Sequence, residues 1–229
     1  MNSIYIYHHL GLGDHIIANG MVRTIAKNYE KTFVFCKPHN FKNVSFMFRD
    51  LPNLQIIQMN DMEVKSFMLL SPHNKYMIIG HNNFYEILNS PNNNLKIDEI
   101  FYYLANVPIE NRWSKFFIKR DIEREKEVFY SLGLSDGEIY AFIHDDSEYK
   151  ISKEIPNMKI IKPSKEISLF DFIYTIEHAT EIHCINSSFF CVIDCLKIQN
   201  EKMYLHDYVK AKKGEDFIPI LGSPWKILS

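Results

Sequence analysis

"HHLGLGDHIIANGMVR", residues 8–23, continues the apolar strand pattern of "SIYIYHH" and runs into a helical pattern, so a tight glycine turn joins a strand to a helix. That order opens many parallel α/β sheets. A dinucleotide fingerprint would need a third small residue where helix and sheet pack, and an acidic residue after the second strand. Here Ile16 stands at the third glycine position, and the second strand, "TFVFCK", ends at Cys36 and Lys37. A P-loop is excluded as well, because no Gly-Lys-Ser/Thr follows. What remains is a carboxylate, Asp14, in the first turn of a helix at the carboxyl edge of a sheet, where α/β folds place ligands. Gly11 and Gly13 allow the sharp turn and a close approach of a ligand to the backbone. The plain structural alternative is that Asp14 only caps its helix.

Outward from this turn, short β-branched and aromatic runs alternate with helical patterns, the signature of parallel strands joined by crossover helices. The pattern predicts a helix from Asp14 to Asn28, with Ile17, Met21 and Ile25 on one face. It then predicts the strand "TFVFCK", the helix "FKNVSFMFRDL", the strands "LQIIQM" and "KYMIIGH", a turn-rich "NSPNNN", a helix from Ile97 to Ala105 and a closing strand "KFFIK". From about Asp121 the series restarts, with a charged helix to Leu132 and the strand "IYAFIHDD". "MKIIKP" and "EIHCIN" follow as strands around a helix from Leu169 to His178, for which Ser168 and Asp171 resemble a capping box. A helix from Ser188 to Lys197, the strand "KMYLHD" and a mixed tail, "DFIPILGSPWKIL", complete the chain. Two alternating units of near-equal length predict an α/β protein of two small Rossmann-like lobes with a cleft between them. The lobes are 1–119 and 120–229, and a single continuous sheet is the rival.

With 229 residues, 46% of them hydrophobic, the chain can bury a real core. A net charge of −2 gives no general attraction to nucleic acid or to an anionic membrane, so any anion must be held by placed groups. No apolar run approaches the roughly 20 residues of a transmembrane segment. The first apolar stretch is too short for a signal peptide, and a cytoplasmic setting is expected. Cys36, Cys184, Cys191 and Cys195 lack the paired spacing of a zinc site and read as buried thiols.

Two motifs carry a resemblance. Gly11-Leu12-Gly13-Asp14, followed by a helix bearing Arg23, looks like the amino-terminal motif of the heptosyltransferase-like glycosyltransferases. A strand running into "NSSFF", residues 186–190, resembles the donor-binding segment of GT-B enzymes. That family has the GT-B fold of two facing Rossmann-like lobes. The resemblance implies that Asp14 is the base that deprotonates an acceptor hydroxyl. It also implies that Asn186, Ser187 and Ser188 form the turn that holds the donor's diphosphate, and that no catalytic metal is needed. The chain is shorter than typical members.

Sugar transfer asks for a base, charge stabilisation on the leaving diphosphate and alignment of the two. Asp14 or His15 can serve as base; if Asp14 does, His15 orients it or contacts substrate. Ser187 and Ser188 at a helix start offer hydroxyls and backbone N–H groups, unless Ser187 is a plain N-cap. Lys162, after the "MKII" strand, offers a cation, or is simply solvated. His15, Asn19 and Arg23 recur every four residues on one helix face, which either meets solvent or lines the cleft. His144, Asp145 and Asp146 gather at a strand end, where they can read a nucleotide base or ribose, bind Mg²⁺ or cap a turn. His8 and His9, adjacent on a strand, point to opposite faces and do not make a zinc pair. His183 reads as a hydrogen-bonded core or edge residue.

The expected function is an inverting, metal-independent glycosyltransferase moving a sugar from a nucleotide-diphosphate sugar to a saccharide or other hydroxyl acceptor. It calls for no cofactor beyond that co-substrate, and for no nucleic-acid partner. The donor would sit on the second lobe and the acceptor on the first. The rivals are a non-catalytic nucleotide-sugar binding module, suggested by the short chain, and a sugar-nucleotide epimerase.

Overall fold

The structure, a computed structural model, describes residues 2–81, 83–146, 150–151, 158–207 and 219–228. The chain divides into two compact units, one formed by residues up to 119 with 219–220 and the other by residues from 120 with 221–228.

The first unit is built on four parallel strands: β1 (Ser3–Tyr7), β2 (Lys31–Cys36), β3 (Leu54–Gln58) and β4 (Tyr76–Ile78), in the order β3-β2-β1-β4. Ile6 pairs with Val34 on one side and Met77 on the other, which makes β1 central. Both faces of a parallel sheet are covered, so the central strands are mostly apolar, while β3 at the edge carries exposed Gln55 and Gln58. Ile4, Ile6 and Val34 are buried on one face. On the other, Tyr7 and Phe35 pack with Leu10 and Val64, and Tyr5 stacks on Phe33 at 4.5 Å.

The expected helix after β1 runs as two, α1 (Leu12–Ile17) and α2 (Asn19–Ala26), with a one-residue break at Ala18. Helix α3 (Phe41–Phe48) lies between β2 and β3. Helix α4 (Asp61–Leu70), which the sequence pattern did not reveal, starts with a full capping box between Asn60 and Glu63. Helices α5 (Asn83–Leu88), α6 (Ile97–Leu104) and α7 (Asn111–Ser114) follow. Gly20 is where α2 meets α7, since a Cβ there would overlap the Asn111 carbonyl. Asp98 and Arg112, both fully buried, form an ion pair, and both also bond the backbone of Ile220.

"KFFIK" is not a strand. The Asn19 side chain accepts from the Phe117 N–H at 3.1 Å and donates to its carbonyl at 3.3 Å, so this backbone is satisfied by an amide instead of a neighbouring strand.

The second unit opens with α8 (Ile122–Ser131), whose N-cap Asp121 accepts from the Arg124 N–H. Five parallel strands follow: β5 (Tyr140–His144), β6 (Lys159–Ile161), β7 (Glu181–Cys184), β8 (Met203–His206) and β9 (Lys226–Leu228), in the order β6-β5-β7-β8-β9. The strand β9 comes from the tail that read as mixed. Between β6 and β7, a 3₁₀ turn at Leu169–Phe172 leads into α9 (Ile173–Glu177); Ser168 makes no side-chain cap bond there, contrary to the capping-box expectation. Helix α10 (Ser188–Cys195) is apolar almost all round. Arg120 spans Glu125 and Glu177, and Asp194 accepts from the Gly222 and Ser223 N–H groups and the Trp225 indole. His183 is buried, bonded to His206 at 2.9 Å and to Glu181.

The four cysteines are free and buried. Among the described residues no helix is long and apolar enough to cross a membrane. Each sheet has one place where successive connections leave in opposite directions: β1/β4 in the first and β5/β7 in the second. A crevice opens outside the carboxyl ends of such strand pairs.

Candidate active site

In the first unit the turn after β1 lies at the β1/β4 divergence. Gly11 is the N-cap of α1 with an extended backbone, φ −72° and ψ 150°. Asp14 is the third helical residue, and its carboxylate folds back to accept from the Gly11 N–H. A Cβ at Gly11 would lie 2.5 Å from Asp14 Oδ2. The glycine therefore makes room for the carboxylate; its φ is one any residue adopts. Gly13 lies in the first turn of α1. Asn40 donates to the Leu10 carbonyl at 3.0 Å and steadies the loop from outside.

Asp14 is packed deeply enough that burial raises its carboxyl above the ordinary range, while His9, its own N–H, the Gly11 N–H and Lys37 pull the other way. His9 is half-buried. Its Nε2 lies 3.3 Å from the Tyr85 hydroxyl, and its ring packs edge-on to Phe84 and Phe101.

Around it stands a cluster that the sequence pattern did not indicate. Asp61, first residue of α4, accepts from the Tyr7 hydroxyl at 3.0 Å and pairs with Lys37 at 3.4 Å. Burial opposes its ionisation, but those two partners outweigh it and hold the carboxyl below its usual range. His81, just beyond β4, stacks on Tyr7 at 4.0 Å and lies 3.8 Å from Asp61. Burial, then the Asp61 carboxylate, pushes the Tyr7 phenol up. Tyr7 and His81 also line a cavity of about 360 Å³ with Lys65, Met68, Leu69 and Ile78. These groups come from the carboxyl ends of β1, β2 and β4 and from the helix after β3.

Three of the expected site residues on the α1–α2 segment are placed otherwise. His15 is fully buried beneath the turn, its ring 4.4 Å from that of His8, and neither of its nitrogens has a partner. Arg23 is buried and pairs with both Asp50 oxygens, at 2.7 and 2.8 Å. Asn19, also buried, holds Arg23 Nε as well as Phe117. The stripe faces inward: Asn19 and Arg23 form a core network that the helix period brings to one face, and His15 is sealed in the core without a partner.

In the second unit the structure gathers most of the expected residues at the β5/β7 divergence. His144 ends β5 and its Nδ1 lies 2.9 Å from Ser187 Oγ. Ser187 is the N-cap of α10, with its hydroxyl accepting from the Phe190 N–H at 3.4 Å. Ser188 opens the helix, and Asn186 precedes the cap; both keep some exposure. Lys162 is not a lone cation, since its Nζ sits 2.7 Å from Asp145 Oδ1, while Asp145 also accepts from the Ile151 N–H. Asp146 is exposed at the strand end. Among the described residues no three His, Cys, Asp or Glu side chains stand close enough to share a metal ion.

The fold is that of known glycosyltransferases. The chain superimposes on a glycosyl transferase family 9 structure from Veillonella parvula with a TM-score of 0.60 at 9% identity, covering 99% of this chain and 86% of that one. It superimposes on the ADP-heptose LPS heptosyltransferase II of E. coli with a TM-score of 0.53 at 10% identity, covering 100% of this chain and 90% of that one. No protein-family model and no curated protein sequence matches the chain. The resemblance read from "GLGD" and "NSSFF" thus extends to the whole architecture, an α/β, GT-B-like, heptosyltransferase-like fold.

Proposed function

We propose that this protein is an inverting glycosyltransferase that moves a sugar from a nucleotide-diphosphate donor to the hydroxyl of a saccharide or similar acceptor. The observation that carries the reading is the position of Asp14 at the β1/β4 divergence, a carboxylate seated over Gly11 with its basicity raised by burial. In the proposed reaction Asp14 takes the acceptor hydroxyl proton as the acceptor oxygen bonds the anomeric carbon. The bond from that carbon to the diphosphate breaks, with its electron pair leaving on the phosphate oxygen. The first unit serves the acceptor and the second the donor. Ser187, Ser188 and the free N–H groups of the first turn of α10 bind the departing diphosphate, each hydrogen bond to a charged group contributing about 1.5 to 3 kcal/mol. Lys162, paired with Asp145, stands at the same edge, and the proposed reaction is metal-independent. A reduced, cytoplasmic setting suits the four free thiols.

A second reading, a nucleotide-sugar binder without transferase activity, is favoured by one observation: the Asp14 carboxylate already caps the Gly11 N–H. The two separate on a panel of nucleoside-diphosphate sugars, offered with and without saccharide acceptors. Transfer that falls about 10²- to 10⁴-fold in Asp14→Asn, with donor binding kept, supports the base. Thermal shifts with no turnover support the binder, and conversion of donor without acceptor supports an epimerase. Transfer at the wild-type rate in Asp14→Asn removes Asp14 from the chemistry.

A further inference from the structure

One cavity of the first unit has no part in the proposed reaction. It measures about 360 Å³ and is lined from α4 and from the end of β4, the last strand in the order β3-β2-β1-β4. Its floor is aromatic: the buried Tyr7 and His81 stack with ring centroids 4.0 Å apart and planes 24° apart. A polar cluster braces that floor. The Tyr7 hydroxyl donates to Asp61 at 3.0 Å, Lys37 pairs with Asp61 at 3.4 Å, and His81 Nε2 lies 3.8 Å from the same carboxylate. The walls are apolar, from Met68 and Leu69 of α4 and Ile78 of β4. Leu69 is 82% and Ile78 39% exposed, so the cavity leaves apolar side chains facing water. The remaining lining group is Lys65, an exposed lysine with no ion-pair partner among the described residues.

We propose that this cavity is a binding site for a small aromatic carboxylate, its ring against the Tyr7–His81 floor and its anionic group toward Lys65. Three features set that class. A floor of stacked rings favours another ring over a flexible chain, and the Met68 thioether adds a favourable contact to an aromatic edge. The cavity is roomy enough for a fused bicyclic ring with its carboxylate, and its volume falls within the roughly 300 to 1,000 Å³ of small-molecule sites. The local charge favours an anion: Lys37 offsets Asp61, which leaves the Lys65 ammonium as the uncompensated charge on the lining. A cationic ligand would find no carboxylate among the lining residues. A sugar would meet too few hydrogen-bonding groups to replace the water it gives up. The site stands apart from the reading of Asp14, because it calls for binding alone and no bond is made or broken in it.

The test is calorimetry on the full chain with three probes: 2-naphthoate, its neutral counterpart naphthalenemethanol, and the flexible anion decanoate. Circular dichroism confirms the fold of every variant. Naphthoate is expected to bind at a single site, more tightly than either other probe, and to shift the NMR methyl signals of Met68, Leu69 and Ile78. Leu69→Asp, a change at an exposed position, is expected to weaken naphthoate about tenfold, because an apolar contact is lost and a like charge is added. Lys65→Met is expected to weaken naphthoate about two- to fivefold and to leave naphthalenemethanol unchanged, a split that a general loosening of the fold would not give. No saturable binding of naphthoate, or binding that neither substitution changes, overturns the proposal. Decanoate binding as tightly as naphthoate overturns it too, since the floor would then not select for a ring. None of these measurements needs transfer activity, so failure here and failure of the transferase reading are told apart.

Discussion

Gly11 and Asp14 occupy one space: a methyl group on the first would lie 2.5 Å from Oδ2 of the second. Because Gly11 has an ordinary extended φ, an alanine there meets no backbone strain and collides only with the end of a side chain that can move. Gly11→Ala is therefore expected to fold and melt within about 1 kcal/mol of wild type but to lose about 10²-fold in transfer rate through a displaced carboxylate. Thermal melts alongside kcat measure the two effects separately. A variant that retains full rate would mean that the carboxylate position is immaterial.

Arg23 and Asp50 should matter to the fold and not to the chemistry. Arg23 is buried and Asp50 partly so, and Arg23 makes further bonds to the Met47 carbonyl and to Asn19. Removing Arg23 leaves the partly solvated Asp50 carboxylate and the Met47 carbonyl without their partner, so Arg23→Met is expected to destabilise by about 1 to 3 kcal/mol in urea unfolding. Turnover per folded molecule should stay near wild type. A sharp loss of kcat with unchanged stability would return Arg23 to the substrate site.

The buried histidines set an acid limit on stability. An unfolded histidine titrates near pH 6.5. Burial lowers His8 to about 4 and holds His15 well below its ordinary value. Between those values the unfolded chain binds protons that the folded chain refuses, so stability rises with pH in that window. It is full above about 6.5 and declines as the pH falls toward 4, His8 alone accounting for on the order of 3 kcal/mol. His15→Leu removes two unpartnered nitrogens and one of the two titrations, so its stability curve should be flatter at low pH and its transfer activity intact. Denaturation midpoints from pH 4 to 8 check this; a wild-type slope in the variant would refute it.

Ser187 has two duties that one substitution should separate. As N-cap of α10 its loss in Ser187→Ala is expected to cost about 1 kcal/mol of stability. In the proposed role as a hydroxyl that binds the donor diphosphate, its loss is expected to weaken nucleoside-diphosphate binding by about tenfold or more in calorimetry. A stability change with unchanged affinity would leave only the cap.

Short apolar runs made eight of the nine strands among the described residues readable, because a parallel strand is covered on its faces and reads as a largely apolar run. β9 escaped because three residues in a tail full of turn formers give no pattern. "KFFIK" misled because its apolar run is satisfied by Asn19 and not by a sheet, a pairing 98 residues apart that no local period can reveal. The candidate site was legible as a grouping at the glycine turn and at the serine cap, where its residues are contiguous in sequence. Tyr7, His9, Lys37, Asp61, His81 and Tyr85 were not, since what joins them is the order β3-β2-β1-β4, which brings scattered strand ends to one edge. The i, i+4 spacing of His15, Asn19 and Arg23 was correctly read as one face, but composition alone could not say that the face points inward.

The four enclosed thiols give the protein a built-in reporter. Cys36 belongs to the first unit and Cys184, Cys191 and Cys195 to the second. Burial pushes the Cys36 thiol up to about 12 and Cys184 higher still, so neither is an alkylation target while its surroundings stay closed. A pulse of iodoacetamide during gradual denaturation, read by peptide mass, would then tell which half of the molecule opens first, with no label engineered into it.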